Sequence, residues 1–279
     1  MSQYPVPPPS YGAAPAPSKH HAHDEAEEPL LGSPRRPGSS SSHVYDQPMP
    51  GELPDDFKYG VTVAESAPEI RNAFVRKVYT ILFCQILATT IVGGVLQQNK
   101  AAVFWVQMHL WSFYVPLFGT FVVLGFLFWK RHSHPLNIGL LSVFTLFEAF
   151  TLGVMTAFYD NVIVLQALLI TSGVFLGLTL FTLQSKYDFS GLGPWLFGGL
   201  IALIMTGFVG IFLPFSSGMD LAFAIGGTLI FSGYVVYDTY MINNRLSPDE
   251  YILGAISLYL DFINLFLNIL RLLSNSQES

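Results

Sequence analysis

From Ala73 to its end, the chain runs as apolar blocks separated by short polar breaks. Seven blocks can be drawn, at about 78–97, 110–129, 136–158, 162–184, 192–213, 219–242 and 251–272. Each is near the roughly 20 residues that carry a helix across a bilayer. The third and fourth are joined only by Tyr159, Asp160 and Asn161, which predicts a tight antiparallel hairpin. Between the sixth and seventh, Ser247-Pro248-Asp249-Glu250 spells a helix start, with Ser as N-cap, Pro at the first position and Glu at the third. Gly173 and Gly177, four apart, have the spacing that permits close helix contact. The pattern predicts an all-α integral membrane protein, a seven-transmembrane-helix bundle. A six-span parse is the alternative and would return the carboxyl terminus to the starting side.

The residues ahead of the blocks are different. The first 54 hold 12 of the 18 prolines, the run Ser39 to Ser42 and few large aliphatics. Such a segment cannot bury enough apolar surface to offset its chain entropy, so 1–54 is expected to be a disordered Pro/Ser-rich tail. It has no apolar stretch near Met1 that would make a signal peptide. Residues 55–77 read as an amphipathic juxtamembrane segment, 78–273 as the transmembrane domain and 274–279 as a short tail.

Composition agrees. Of 279 residues, 51% are apolar and 11% charged, with mean hydropathy +0.47, against about 25% charged in soluble domains. The 24 Phe and 13 Tyr suit lipid-facing helices and interfacial belts. A net charge of −6 gives no nucleic-acid surface, and the lone Cys84 allows no internal disulfide. With the amino terminus cytoplasmic, the inside flanks carry Lys58, Arg71, Arg76, Lys77, Lys130, Arg131, Lys186 and Arg245, and the outside only Lys100 and Arg271. That asymmetry obeys the positive-inside rule and, with seven spans, places the carboxyl terminus lumenal or extracellular.

The candidate chemistry lies in three acids within the spans: Glu148 in the third, Asp238 in the sixth and Asp261 in the seventh. A central Asp costs about 2.5–3.5 kcal/mol on insertion scales and tends to face an interior or a watery cavity. Two acids sharing a proton, or binding a cation, relieve that cost, and neighbouring carboxylates titrate as a pair. Asp238 and Asp261 are therefore a candidate proton switch. Asp261, Asn264 and Asn268 share one helix face and offer the hard oxygen ligands that suit calcium, so Glu148, Asn264 and Asn268 are candidate ion-pathway residues. Calcium would be a permeant ion passing Asp261 and Asp238, not a resident cofactor. The plainer alternative makes these groups buried polar glue between helices. Asp238 lies nearer its helix end than Asp261 does, so contact between them does not follow from the spacing.

Several segments together resemble the Bax inhibitor family of transmembrane proteins, in its Lifeguard branch. They are Asp55-Asp56-Phe57-Lys58-Tyr59-Gly60, the run Ile70 to Tyr79, Phe144-Thr145-Leu146-Phe147-Glu148-Ala149, Thr182 to Lys186, Tyr237-Asp238-Thr239 and Ala255 to Phe266. The resemblance implies a seven-helix bundle with a pH-sensitive calcium leak that restrains cell death, acting in endoplasmic reticulum, Golgi or vacuolar membranes. It implies that Asp238 and Asp261 form the proton sensor, and that an arginine near the cytoplasmic side of the second span engages it; Arg131 is the nearest candidate.

In the tail, Pro8-Pro9-Ser10-Tyr11 is a PPxY sequence of the kind WW domains bind as a polyproline helix, which makes WW-bearing ubiquitin ligases candidate partners. Glu27-Glu28-Pro29-Leu30-Leu31 resembles an acidic dileucine sorting signal. Membrane lipids are the remaining expected surroundings. An adaptor that binds Bax-type or channel proteins without ion transport is the competing function. An intramembrane aspartyl protease is disfavoured, because Leu258-Tyr259-Leu260-Asp261 lacks that class's Gly-x-Gly-Asp.

Overall fold

The computed structural model describes residues 62–109 and 111–278. Among them are eight α-helices and no strand: α1 (Pro68–Gln98), α2 (Lys100–Met108), α3 (Trp111–Trp129), α4 (Leu136–Thr156), α5 (Asn161–Gln184), α6 (Gly193–Phe212), α7 (Ser217–Asn244) and α8 (Tyr251–Glu278). All but α2 are long and apolar enough to cross a membrane, which gives seven candidate spans.

The helix ends follow local chemistry more than hydropathy. α1 starts at Pro68, whose fixed φ and missing N–H suit a first turn, so Arg71, Arg76 and Lys77 ride on the helix ahead of its apolar stretch. Asp160 caps α5 by accepting from Val162 N at 2.7 Å, closing the expected hairpin with α4. The start expected at Ser247 is displaced. Glu250 does reach back to the Ser247 N–H at 3.2 Å, but the Ser247 hydroxyl turns to Asp249 at 2.5 Å. Residues 247–250 form a turn, and helix begins at Tyr251. α2 was not legible as an apolar block; it is a short helix capped by the Asn99 side chain, which accepts from Ala102 N. Its Trp105 stacks on His109 and meets Trp111 edge-on, an aromatic cluster of the kind found at membrane interfaces.

α8 forms the axis of the bundle. Inside its apolar stretch 67% of residues are buried, against 6 to 44% for the other six spans. α1, α4, α5 and α7 pack around it, with α3 outside against α4 and α6 outside against α7. Tyr259 and Phe144 meet edge-on, as do Phe175 and Phe262.

Apolar burial gives no drive between helices in lipid, so association there relies on close approach and polar contacts. A Cβ on Gly153 of α4 would sit 3.1 Å from the Gly93 Cα of α1, and a Cβ on Gly227 of α7 would collide with the Asn268 side chain of α8. The sequence pointed to a different pair. Gly173 and Gly177 are exposed on α5 with nothing within 4 Å of an added Cβ, because that face of α5 turns outward.

Candidate functional site

The turn that joins α7 to α8 is fastened at the basic end of the bundle. Val63 N donates to Leu246 O at 2.8 Å, and Arg71 Nε donates to Asn243 Oδ1 at 3.2 Å. From the α3–α4 loop, Arg131 pairs with Glu250 at 3.8 Å and His132 with Asp249 at 3.0 Å. Arg245 pairs with Asp188 at 3.7 Å. Lys77 stands over the Tyr251 ring, 3.5 Å from its centroid, and the Tyr251 hydroxyl accepts from buried Asn137. These contacts tie the turn and the helix ends beside it to α1, to α4 and the loop before it, and to the loop after α5.

Asp238 lies six residues before the end of α7 and Asp261 ten residues into α8, about 9 and 15 Å of rise. Side chains lean toward the N-terminus of their own helix. In this antiparallel pair Asp238 leans away from the basic end and Asp261 toward it. The two carboxyls thereby come within hydrogen-bonding range, and Ser257 reaches Asp238. Asp261 is buried, at 5% exposure, and Asp238 half-buried. The Asp261 Oδ2 is enclosed with no donor on it. Two carboxylates are both acceptors, so their contact is a hydrogen bond only when one carries a proton. No basic side chain is bonded or ion-paired to either, among the described residues.

The other candidates fall in different places. Glu148 is half-buried on α4 and sits near Tyr259, on the α1 and α4 side of α8, away from the pair. Tyr259 is fully buried, its hydroxyl 2.7 Å from Thr89 Oγ1, and Gln85 beside it donates to Thr145. Asn264 and Asn268 donate to Leu260 O and Asn264 O of their own helix, each at 2.8 Å. Their amide oxygens are what they have left to offer, along a cleft they line together. Arg131 is not brought to the pair; its partner is Glu250, in the turn ahead of α8. Pro8, Pro9, Tyr11, Glu27, Leu30 and Leu31 lie outside the described residues.

Ser257 was missed in the sequence. Its signal was present, since 257, 261, 264 and 268 are one face of a helix, but a serine in a span draws no attention by cost. Among the described residues no group of three His, Cys, Asp or Glu side chains stands ready to hold a metal. Two carboxylates and a hydroxyl fall short of the six to eight oxygens of a calcium site, so the arrangement suits passage or proton exchange over tight retention.

Residues 71–278 match the family described as "Inhibitor of apoptosis-promoting Bax1". The protein named "Bax inhibitor 1" of Schizosaccharomyces pombe is 47% identical over 81% of this chain and 85% of its own length. "Protein lifeguard 4" of Mus musculus is 44% identical over 79% of this chain and 92% of its own. "Golgi anti-apoptotic protein" of Vaccinia virus is 43% identical over 81% and 95%. With seven candidate spans and this extent of likeness, the chain belongs to the Bax inhibitor family of membrane proteins, alongside the Lifeguard proteins.

Proposed function

We propose that this anti-apoptotic membrane protein acts as a pH-sensitive calcium leak of internal membranes, with Asp238 and Asp261 as the proton-sharing switch. The observation that carries the reading is the meeting of two carboxyls, one of them buried, with no basic side chain paired to either among the described residues. One proton between them makes a hydrogen bond that ties α7 to α8. Its loss leaves two like charges in contact in a poor solvent for charge, which pushes the helices apart and draws in cations. Gain or loss of that proton thus becomes a change of helix packing.

The basic end faces the cytoplasm in this reading, by the positive-inside rule, and the carboxyl terminus is lumenal. A lower store of calcium is then the route to restraint of cell death. The name of the viral relative, with its Golgi location, supports an endomembrane setting. Pro8-Pro9-Ser10-Tyr11 is proposed as the handle for a WW-bearing ubiquitin ligase, and Glu27, Leu30 and Leu31 as the sorting signal. Neither catalysis nor a bound cofactor enters the scheme.

The test is expression of the Asp238→Asn/Asp261→Asn double variant in cells, with store calcium and survival followed together. Loss of both effects is expected. Full protection with store calcium no longer lowered would instead make the chain an adaptor for Bax-type or channel proteins.

A further inference from the structure

The polar face of α8 continues beyond Asn268. Asp261, Asn264, Asn268, Arg271 and Asn275 follow one another at steps of three or four residues, one helix face leading from the carboxyl pair to the end opposite the basic one. Alongside runs a cleft of about 270 Å³. Leu203 of α6 and Phe223 and Phe231 of α7 help form its apolar walls, while Asn264, Asn268 and Arg271 form a polar one. Asn264 is one helical turn from Asp261, so the cleft stops about 4.5 Å of rise short of the pair.

Arg271 is the charged side chain in that lining. Its Nε is 3.7 Å from Asp220 Oδ1, and its guanidinium lies 5.0 Å from the centroid of the Phe223 ring. The other Asp220 oxygen, Oδ2, accepts from Asn275 at 2.7 Å. Asp220 and Phe223 both belong to the first turns of α7, so the arginine of α8 is drawn to one wall by its neighbour. The ion pair is long and half-exposed, a contact of small worth taken alone, and the Phe223 ring adds a second hold on the guanidinium.

We propose that Arg271 is the electrostatic gate of a cation passage that reaches the Asp238–Asp261 pair from this end of the bundle, with Asp220 and Phe223 holding the gate aside. This rests on the leak reading above. A guanidinium cannot lose its proton in a protein, so Arg271 is a fixed positive charge at every pH of interest. Its repulsion scales with the charge of the passing ion, as basic groups in pores use to exclude cations. The carboxyl pair sets the pH response, and Arg271 sets how much calcium passes relative to a monovalent ion.

The experiment measures calcium and potassium flux into liposomes holding purified full-length protein, for the wild type and three variants. Arg271→Gln is expected to raise calcium flux about fivefold or more, and potassium flux less, with the wild-type pH dependence kept. Arg271→Lys should stay near wild type, because the charge is retained. Asp220→Asn releases the guanidinium into the cleft and should lower calcium flux. A merely structural loosening would raise both ions alike. Equal rises for the two ions, or unchanged calcium flux in Arg271→Gln and Asp220→Asn beside an active wild type, would overturn the gate while leaving the leak standing. A wild type with no flux above empty liposomes would remove the leak and the gate with it.

Discussion

Asp188 and Asp261 show how differently two carboxylates of one chain are held. Asp188 lies exposed in the loop after α5, and its carboxyl is lowered to about 2, first by the Ser190 side chain, then by the Ser190 N–H and the Tyr240 hydroxyl. A carboxyl whose folded value lies below its ordinary 3.8 contributes stability that is complete above that value and is lost only as pH falls toward 2. Asp188→Asn should therefore leave the shape of the flux–pH curve between pH 5 and 8 unchanged, measured in liposomes. A curve displaced along the pH axis would mean that the loop, not the pair, senses protons. The Asp261 Oδ2 has no such donor among the described residues, and Asp238 stands opposite. Each of the two acids was legible in the sequence because an acid inside a span is costly wherever it points; their contact was not. Ser257 was not, since its hydroxyl can bond its own helix and carries no such cost.

Among the elements, spans were readable from hydropathy and ends were not. α1 and α8 extend well past their apolar blocks, since charged side chains at a membrane surface can ride on helix as readily as on loop. α2 was hidden because a nine-residue helix is too short to register as a span. Glycine spacing also misled. Gly173–Gly177 carries the usual four-residue step, yet the close approach is made by Gly153 against Gly93. Which face a glycine occupies depends on the neighbouring helices, which spacing within one helix does not encode. Gly153→Val should destabilise by about 1–3 kcal/mol through overpacking against backbone, read as a lower thermal midpoint in detergent. Gly173→Ala should change stability by no more than about 1 kcal/mol, toward stabilisation. The reverse ranking would mean that α1 and α4 do not pack as described.

At the scale of the whole molecule, the central place of α8 has a reason in its sequence. Of the seven spans it carries the fullest polar face, with Ser257, Asp261, Asn264 and Asn268, and in a bilayer such a face must turn inward. The surrounding helices give their apolar sides to lipid, with Phe118, Phe121, Trp195 and Ile211 exposed. What no single helix encodes is which neighbour meets that face, and so the contact of Asp238 with Asp261 needed the fold. Seven spans would put the start of α1 and the end of α8 on opposite sides of the membrane. In a Cys84→Ser background, Gln277→Cys should be labelled by an impermeant thiol reagent from one side of a sealed vesicle and Lys186→Cys from the other. Labelling of both from one side would restore the six-span parse.

Calcium flux into liposomes of purified protein, from pH 5 to 8, for wild type and Asp261→Asn, decides whether the carboxyl pair governs a leak. The wild type should show a flux that changes with pH, and the variant a flux that is lost or no longer follows pH. A variant that keeps the wild-type pH dependence, from protein shown to be folded, would contradict it.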